Sequence, residues 1–403
     1  MSLLSFDEAL ARLLDQAQPH APLETLPLAH CDGRVLAEHV VAPLAVPGFD
    51  NSAMDGYALH VADFAKLPAQ WPITQRIAAG EVGEPLAPGM AARIFTGAPV
   101  PPGCNVVVPQ EETEANDNQL RLLADIKEGQ HIRRLGEDIA LGCEVLTAGT
   151  RLGPPHLALA ASLGIARLKV RASLRVGVLC TGDELTPPGE PLPPGGIYNS
   201  NQFAIGALLR RLGCVVSDYG KVADTREDTV AALRLASHEN DVVISCGGVS
   251  VGEEDHVKAA VGELGRLDLW RIAIKPGKPL AFGKVGTADF IGLPGNPVSA
   301  FLTFVLLARP FLLKRMGAVV VQPSRLPLPA GFDWPRADKR REFLRARLEQ
   351  NSTGQTQVSL YPSQGSAVMS GLAWADGLVD LFPGTTVKAG DTVHYLPLAQ
   401  LLD

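Results

Sequence analysis

The spacing of apolar positions divides the 403-residue chain into stretches of different period. MSLLSFDEALARLL has helical spacing, and Ser5 followed by Glu8 fits a capping box, so a helix is expected to start at Phe6. Between Pro43 and Asp138, short apolar runs alternate with Gly and Pro: GYALH, WPITQRIAAG, AARIFTGAPV, NVVVPQEE, RLLADI and HIRRLGEDI. Such runs between turn residues predict strands, hence a β-rich domain over residues 47–138. Pro154-Pro155 opens an apolar helix, HLALAASLG, followed by the strand-like RLKVRA. Residues 1–46 and 139–171 are assigned together to an N-terminal and linker domain.

From Leu174 the period changes. SLRVGVLC, CVVSDYG, DVVISC, LDLWRIAI, LAFGKV and ADFIGLP read as strands. SNQFAIGALLRRLG, REDTVAALRLASHEN, EDHVKAAVGELG and NPVSAFLTFVLLARPFLLKRMG read as helices. The alternation predicts a mostly parallel sheet with helices on both faces, an α/β domain over 172–320. VQPSRLPLPAG reads as a linker. The remainder, with REFLRARL, TQVSLYP and DTVHYLPL, predicts a small all-β domain within 321–403. The fold class is thus multi-domain, α/β plus β, as expected for a chain longer than the roughly 250–300 residues one core supports. No apolar run approaches the roughly 18 residues of a membrane span, and no internal repeat is visible.

Composition narrows the function classes. Hydrophobic residues make 46% and charged residues 20% of the chain, ordinary values for a globular protein. The formal net charge of −7 removes the broad attraction that nucleic acid or an anionic membrane would need, so neither is expected as a partner. An anionic ligand would need a local site. The 40 glycines and 32 prolines are spread along the chain and imply many tight turns. Six cysteines without a CxxC pair read as buried, reduced thiols of a cytoplasmic protein, not as a disulfide or zinc framework. Asp7 and Glu8 with no basic leader argue against a signal peptide.

In open α/β sheets ligands collect beyond the carboxyl ends of the strands, where three loops with candidate chemistry are expected. The first, TGDEL, carries Thr181, Gly182, Asp183 and Glu184; the second, GGVSVGEED, carries Gly247, Gly248, Ser250 and Asp255. The third, LPGNP, carries Pro294, Gly295, Asn296 and Pro297. Each also has a plainer reading. Asp183 and Glu184 could be loop acids, Asp224 an N-cap, and Asn296 with Pro297 a favoured helix start. Lys275 and Lys278 of KPGKP, each before a proline and hence biased to extended backbone, could clamp an oxyanion or form a solvated turn. Asp55, Thr96 and Asp138 stand in FDNSAMDGYAL, FTGAP and RRLGEDI, among usual turn residues.

GGVSVGEED combines a glycine cradle suited to phosphate with the carboxylates Glu253, Glu254 and Asp255. A carboxylate about 4 Å from a phosphate costs on the order of 4 kcal/mol at an effective dielectric near 20. A hard cation between them reverses the sign. Mg2+ is commonly held by one or two carboxylates plus substrate phosphates, so the motif suggests a Mg2+-assisted phosphate site.

FDNSAMDGYA, IFTGAPVPPG, RRLGEDI, TGDEL, IYNSN, GGVSVGEEDHVK, KPGKPLAFG and LPGNPVSAF occur in the order that resembles the molybdopterin molybdotransferase family, relatives of the E domain of gephyrin. The resemblance covers nearly the whole chain. It implies an enzyme that inserts molybdate into adenylylated molybdopterin with Mg2+-dependent cleavage of the adenylate, releasing AMP and molybdenum cofactor. It also implies elongated homodimers of four-domain subunits, with the active site shared across the interface.

By the same resemblance, Asp55, Thr96 and Asp138 would come from the partner's N-terminal part, and Glu184, Asp224 and Asp255 would be the acids of the α/β domain. Glu184 and Asp255 would hold the metal, while Pro294 and Pro297 shape the LPGNP wall. Lys275, Lys278, Ser366 and Arg340, or Arg341 beside it, would receive molybdate. Cys180 stands where the family commonly has serine. Two rivals are a molybdopterin adenylyltransferase, which makes the adenylate, and a non-catalytic gephyrin-like scaffold. Contact with a molybdopterin adenylyltransferase that supplies the substrate is a further expected partnership.

Overall fold

The structure, a computed structural model, describes residues 3–20, 22–248, 256–277 and 279–402, the side chains of Leu269 and Pro279 excepted. Contacts gather the chain into two compact units. One comprises Met1–Ala37, Gly149–Leu152 and Lys169–Asp403; the other comprises Glu38–Ala148 and Gly153–Leu168.

The smaller unit is built on a six-stranded sheet in the order Val106–Pro109, Gly56–Leu59, Ala91–Ile94, Trp71–Ile77, Gln119–Leu122 and Thr113–Asn116. Ala58, Ala92, Ile94 and Val107 pack in one apolar cluster, and Leu59, Trp71, Ala91, Val106 and Val108 in another. Apolar clusters on both sides explain why NVVVP reads as a continuous apolar run instead of an alternation. Asn51–Ser52 pairs with Ile132–Arg133, which draws the turns around Asp50 and Arg134 together. The helix expected after Gly153 spans Pro154–Ser162.

In the larger unit the first helix, Phe6–Gln16, starts where its capping box places it. Glu8 N–H donates to Ser5 Oγ at 3.2 Å and Ser5 N–H to Glu8 Oε2 at 2.9 Å. Its apolar stripe, Phe6, Ala9, Leu10 and Leu13, is buried in the core that also holds the inner strands of the central sheet.

That sheet runs Val215–Val222, Arg175–Thr181, Val242–Cys246, Ala288–Leu293, Pro279–Val285, Gly265–Arg271. The first four strands are parallel, Pro279–Val285 runs against them, and Gly265–Arg271 runs against Pro279–Val285, in agreement with a mostly parallel sheet. The chain reverses its direction of growth between Arg175–Thr181 and Val242–Cys246, which is the switch point where open α/β sheets place ligands. All six cysteines are free, four of them buried.

Several expectations are corrected. LDLWRIAI is not one strand: Gly265–Arg271 edges the central sheet, whereas Ile274–Lys275 joins the C-terminal sheet. Part of VQPSRLPLPAG is also no linker, because Leu326–Pro329 pairs with Thr392–Pro397. Its prolines suit the end of a sheet, where backbone donors can go unused. The C-terminal sheet runs Ile274–Lys275, Arg341–Gln350, Gly377–Leu381, Thr392–Pro397, Leu326–Pro329, with Thr356–Leu360 paired to Arg341–Gln350. Two short helices, Met369–Trp374 and Leu398–Leu402, accompany these strands.

The segment Pro297–Arg315 is long and apolar enough to span a bilayer, contrary to the sequence reading, but 83% of its apolar window is buried. A helix covered on all sides is apolar on all sides, so length and hydropathy alone cannot separate it from a membrane span.

Arg341 ties three parts of the larger unit together. Its Nε and one terminal nitrogen each donate to Asp380 at 2.6 Å, and its other terminal nitrogen reaches both oxygens of Asp7 at 2.9 and 3.0 Å. The rings of Phe6, Phe343 and Phe382 surround the guanidinium at 4.8, 5.6 and 4.2 Å. Arg341 and Asp380 are 3% and 1% exposed. Removing one partner of a buried pair strands the other charge, so Asp380→Ala should cost about 3–5 kcal/mol. A matching fall in the urea unfolding midpoint is expected; an unchanged midpoint would show that Arg341 finds other support.

Candidate active site

The three loops singled out in the sequence follow three adjacent parallel strands: Thr181–Glu184 after Arg175–Thr181, Gly247–Gly248 after Val242–Cys246, and Pro294–Pro297 after Ala288–Leu293. Their meeting requires glycine. Gly247 and Gly248 have φ of +96° and +64°, and a Cβ at either would lie 2.8 or 2.9 Å from Thr181 atoms. Gly247 N–H also donates to the Leu293 carbonyl at 3.1 Å, joining the second loop to the third. Larger residues would open this seam. Directly beneath, Cys180 and Cys246 pair in register. A hydrogen bond between the thiols lowers the pKa of Cys180 and, with burial, raises that of Cys246.

IYNSN contributes two asparagines. Asn199 caps the helix Ser200–Arg211 through the Gln202 N–H at 3.3 Å, while Asn201 Nδ2 donates to the Gly295 carbonyl at 2.8 Å. Asn201 thereby holds the LPGNP turn from outside. Sequence reasoning does not single it out as a site residue, although its motif contributes to the resemblance.

Thr181 is buried, whereas Asp183 and Glu184 are exposed. The Asp183 carbonyl accepts from Lys221 Nζ at 2.9 Å. Glu184 turns back over Gly182, where a Cβ would stand 2.6 Å from its carboxylate. The capping role considered for Asp224 falls to its neighbour: Thr225 accepts from the Asp228 N–H at 3.1 Å, and Asp224 is left half-buried before the helix. Asn296 occupies the N-cap position of Pro297–Thr303, but its side chain makes no capping hydrogen bond. Ser250, Glu253, Glu254, Asp255 and Lys278 lie outside the described residues.

The cation-bearing part forms where the α/β domain meets the C-terminal sheet. Lys275 and Glu342 face each other across paired strands, and Lys275 Nζ lies 2.8 Å from Glu342 Oε1. Trp334 Nε1 holds the other Glu342 oxygen at 3.0 Å. Arg340 is a quarter exposed and pairs with Asp338 at 3.0 Å. Arg341, the alternative one position on, is consumed by Asp380 and Asp7 in the core. The Glu342 carboxylate raises the Lys275 pKa, and the Arg340 guanidinium holds the Asp338 carboxyl far below its ordinary value.

The same region receives Ser366, whose carbonyl accepts from Val298 N–H at 3.0 Å at the start of the LPGNP helix. The loop before it is shaped by Arg345, which donates to Ser363 O at 2.8 Å, and by Gln364, which brackets the Arg345 backbone. A side chain at Gly277 would touch Ser299 and Thr303 of that helix, so the KPG turn rests on it as well. Sequence reasoning leaves out Asp338, Glu342 and Arg345 because charged residues in the runs ADKRREF and LRARLE look like solvated surface.

In the smaller unit, Asp55 and Thr96 are brought together. Asp55 Oδ1 accepts from Thr96 N–H at 2.7 Å and Thr96 Oγ1 at 2.8 Å, and both residues are exposed. These bonds, the backbone one foremost, lower the Asp55 pKa. Arg93, lying over the rings of Tyr57 and Phe95, donates to the Gly56 carbonyl at 3.2 Å and steadies the turn. Asp138 is exposed and fixed through its backbone N–H to Val46 O at 3.0 Å.

Family models match in chain order: the MoeA N-terminal region (domain I and II) over 4–164, a probable molybdopterin binding domain over 177–314, and the MoeA C-terminal region (domain IV) over 327–398. A molybdopterin molybdenumtransferase of Haemophilus influenzae is 39% identical, with 99% of this chain and 100% of that one aligned. Molybdopterin molybdenumtransferase 2 of Mycobacterium tuberculosis is 39% identical over 89% of this chain and 90% of its own. The crystal structure of a molybdopterin biosynthesis moeA protein from Pyrococcus horikoshii OT3 superposes with a TM-score of 0.83 at 28% identity, covering 98% of this chain and 100% of that one. Matched from end to end in sequence and in fold, the chain belongs to the molybdopterin molybdenumtransferase family.

Proposed function

We propose that this chain is a molybdopterin molybdotransferase: it binds adenylylated molybdopterin and molybdate, transfers the metal oxyanion to the dithiolene, and cleaves the adenylate to release AMP. One observation carries the reading: the glycine-seamed loops adjoin a helix whose start receives Ser366 and whose side supports the KPG turn of Lys275. On this reading a phosphate-bearing substrate and an oxyanion would bind in neighbouring places.

The loops Thr181–Glu184, Gly247–Ser250 and Pro294–Pro297 would hold the substrate, while Lys275, Lys278, Arg340 and Ser366 would receive molybdate through charge-assisted hydrogen bonds. Among the described residues no three ligating side chains form a metal cage. A Mg2+ ion completed by substrate phosphates needs only one or two carboxylates, and the exposed Glu184 suits that role, with Asp255 as the second. Mg2+ bound there would neutralise phosphate charge. Glu184 and Asp255 would also orient water toward the adenylate, Asp224 would add negative charge beside them, and the lysines would offset charge on the leaving phosphate.

AMP release from adenylylated molybdopterin should require both molybdate and Mg2+, and Glu184→Ala or Asp255→Ala should lower it on the order of 100-fold. Adenylate synthesis would instead indicate an adenylyltransferase. A folded protein that binds the adenylate and never releases AMP would indicate a scaffold.

The proposal includes a cytoplasmic homodimer in which Asp55, Thr96 and Asp138 serve the partner chain's site, and in which residues 1–46 with 139–171 form an elongated domain. Support comes from the order of Asp55 and Thr96, an exposed pair joined by two hydrogen bonds. Co-expression of Asp55→Ala and Glu184→Ala chains should restore about a quarter of wild-type activity, because half the dimers are mixed and each has one intact site. No recovery would place both residues in one chain's site.

Thr96→Val should raise the Asp55 pKa, read by carboxyl NMR titration. The folded-state value is depressed, so the stabilisation holds above the ordinary Asp pKa and disappears as pH falls through the lowered one. An unchanged titration would show that Thr96 does not hold the carboxylate.

A further inference from the structure

Lys275 and Arg340 point at the same atom. Asp338 Oδ2 lies 3.4 Å from Lys275 Nζ and 3.0 Å from an Arg340 terminal nitrogen. Asp338 Oδ1 accepts from the Arg340 backbone N–H at 3.0 Å and from Arg340 Nε at 3.1 Å. This carboxylate therefore receives three N–H donors and an ammonium, the set that an oxyanion would need. We infer that Asp338 acts as a built-in competitor for the oxyanion site, so that molybdate must displace it and Asp338 sets the oxyanion affinity. The inference rests on the reading of Lys275 and Arg340 as molybdate ligands.

The two acids of the cluster differ in what they can do. Glu342 is 2% exposed, lies in a paired strand and is fixed by Trp334 as well as Lys275, so it is a permanent counter-charge. Asp338 sits in an irregular segment before that strand, and its side chain is 23% exposed. Water can take over its solvation when it leaves. Its backbone carbonyl is held separately by the Gly384 N–H at 2.8 Å, so the side chain can swing without releasing the turn.

Charge gives the consequence. Lys275 and Arg340 are balanced by Asp338 and Glu342, so a divalent oxyanion meets a cluster with no net formal charge while Asp338 stays. When Asp338 withdraws, the cluster has one net positive charge and three vacated donors pointing at one place. The exchange of one carboxylate for a doubly charged oxyanion favours divalent tetrahedral anions over monovalent ones. It also reserves high affinity for a ligand that engages both cations at once.

The test uses the full-length purified protein, with molybdate alone as ligand and isothermal titration calorimetry as readout, on wild type, Asp338→Asn, Asp338→Ala and Lys275→Ala. Both Asp338 variants should bind molybdate about tenfold more tightly, ~1.4 kcal/mol, and lose part of the preference for molybdate over chloride. Weaker or unchanged binding in the folded Asp338 variants, with binding lost in Lys275→Ala, would overturn the competitor role and leave the site standing. If Lys275→Ala also binds like wild type, or no form binds, the oxyanion reading of the cluster falls.

Discussion

The parallel pairing of Ile274–Lys275 with Arg341–Gln350 is the contact on which the larger unit's site depends. Two residue pairs in register decide both stability and chemistry. Ile274 beside Arg341 lies at the buried end, where the guanidinium joins the first helix to the C-terminal sheet through Asp7 and Asp380. Lys275 beside Glu342 lies at the more exposed end, where the ammonium comes within reach of Asp338, the carboxylate that Arg340 also holds. Shifting this register by one residue would exchange the core arginine and the site residues between faces.

The second constraint is steric. The loops beyond the parallel strands approach because Gly247 and Gly248 have no Cβ to keep them from Thr181. Asn201 then fixes the LPGNP turn through the Gly295 carbonyl, and Ser366 meets the helix that follows. The strand-end loops and the cation cluster are thus joined through one side-chain and one backbone hydrogen bond and through the packing of Gly277 on the same helix, an arrangement that leaves little room for relative motion.

Charge is managed locally throughout. A chain of net charge −7 offers no general attraction to an anion. Two of its cations, Lys275 and Arg340, instead meet at one sheet junction, where Asp338 and Glu342 balance their charge. Removing those acids would leave uncompensated cations to repel one another in a partly buried cluster.

Much of this was legible in the sequence. The capping box located the first helix, the β-α alternation located the parallel sheet, and the order of motifs located the three loops. All of these are local signals, written in the residues that form them. The fate of Ile274–Lys275, the strand in LPLP and the burial of Pro297–Arg315 were not legible, since each depends on what packs against the segment from far along the chain. Likewise, KRREF showed a run of charge but not its division: Arg341 into the core, Arg340 onto Asp338, and Glu342 onto Lys275. Sequence determined which chemical groups the protein owns and the local elements that bear them; strand register and burial alone decided which cation is consumed in the core and which converge on one partly exposed carboxylate.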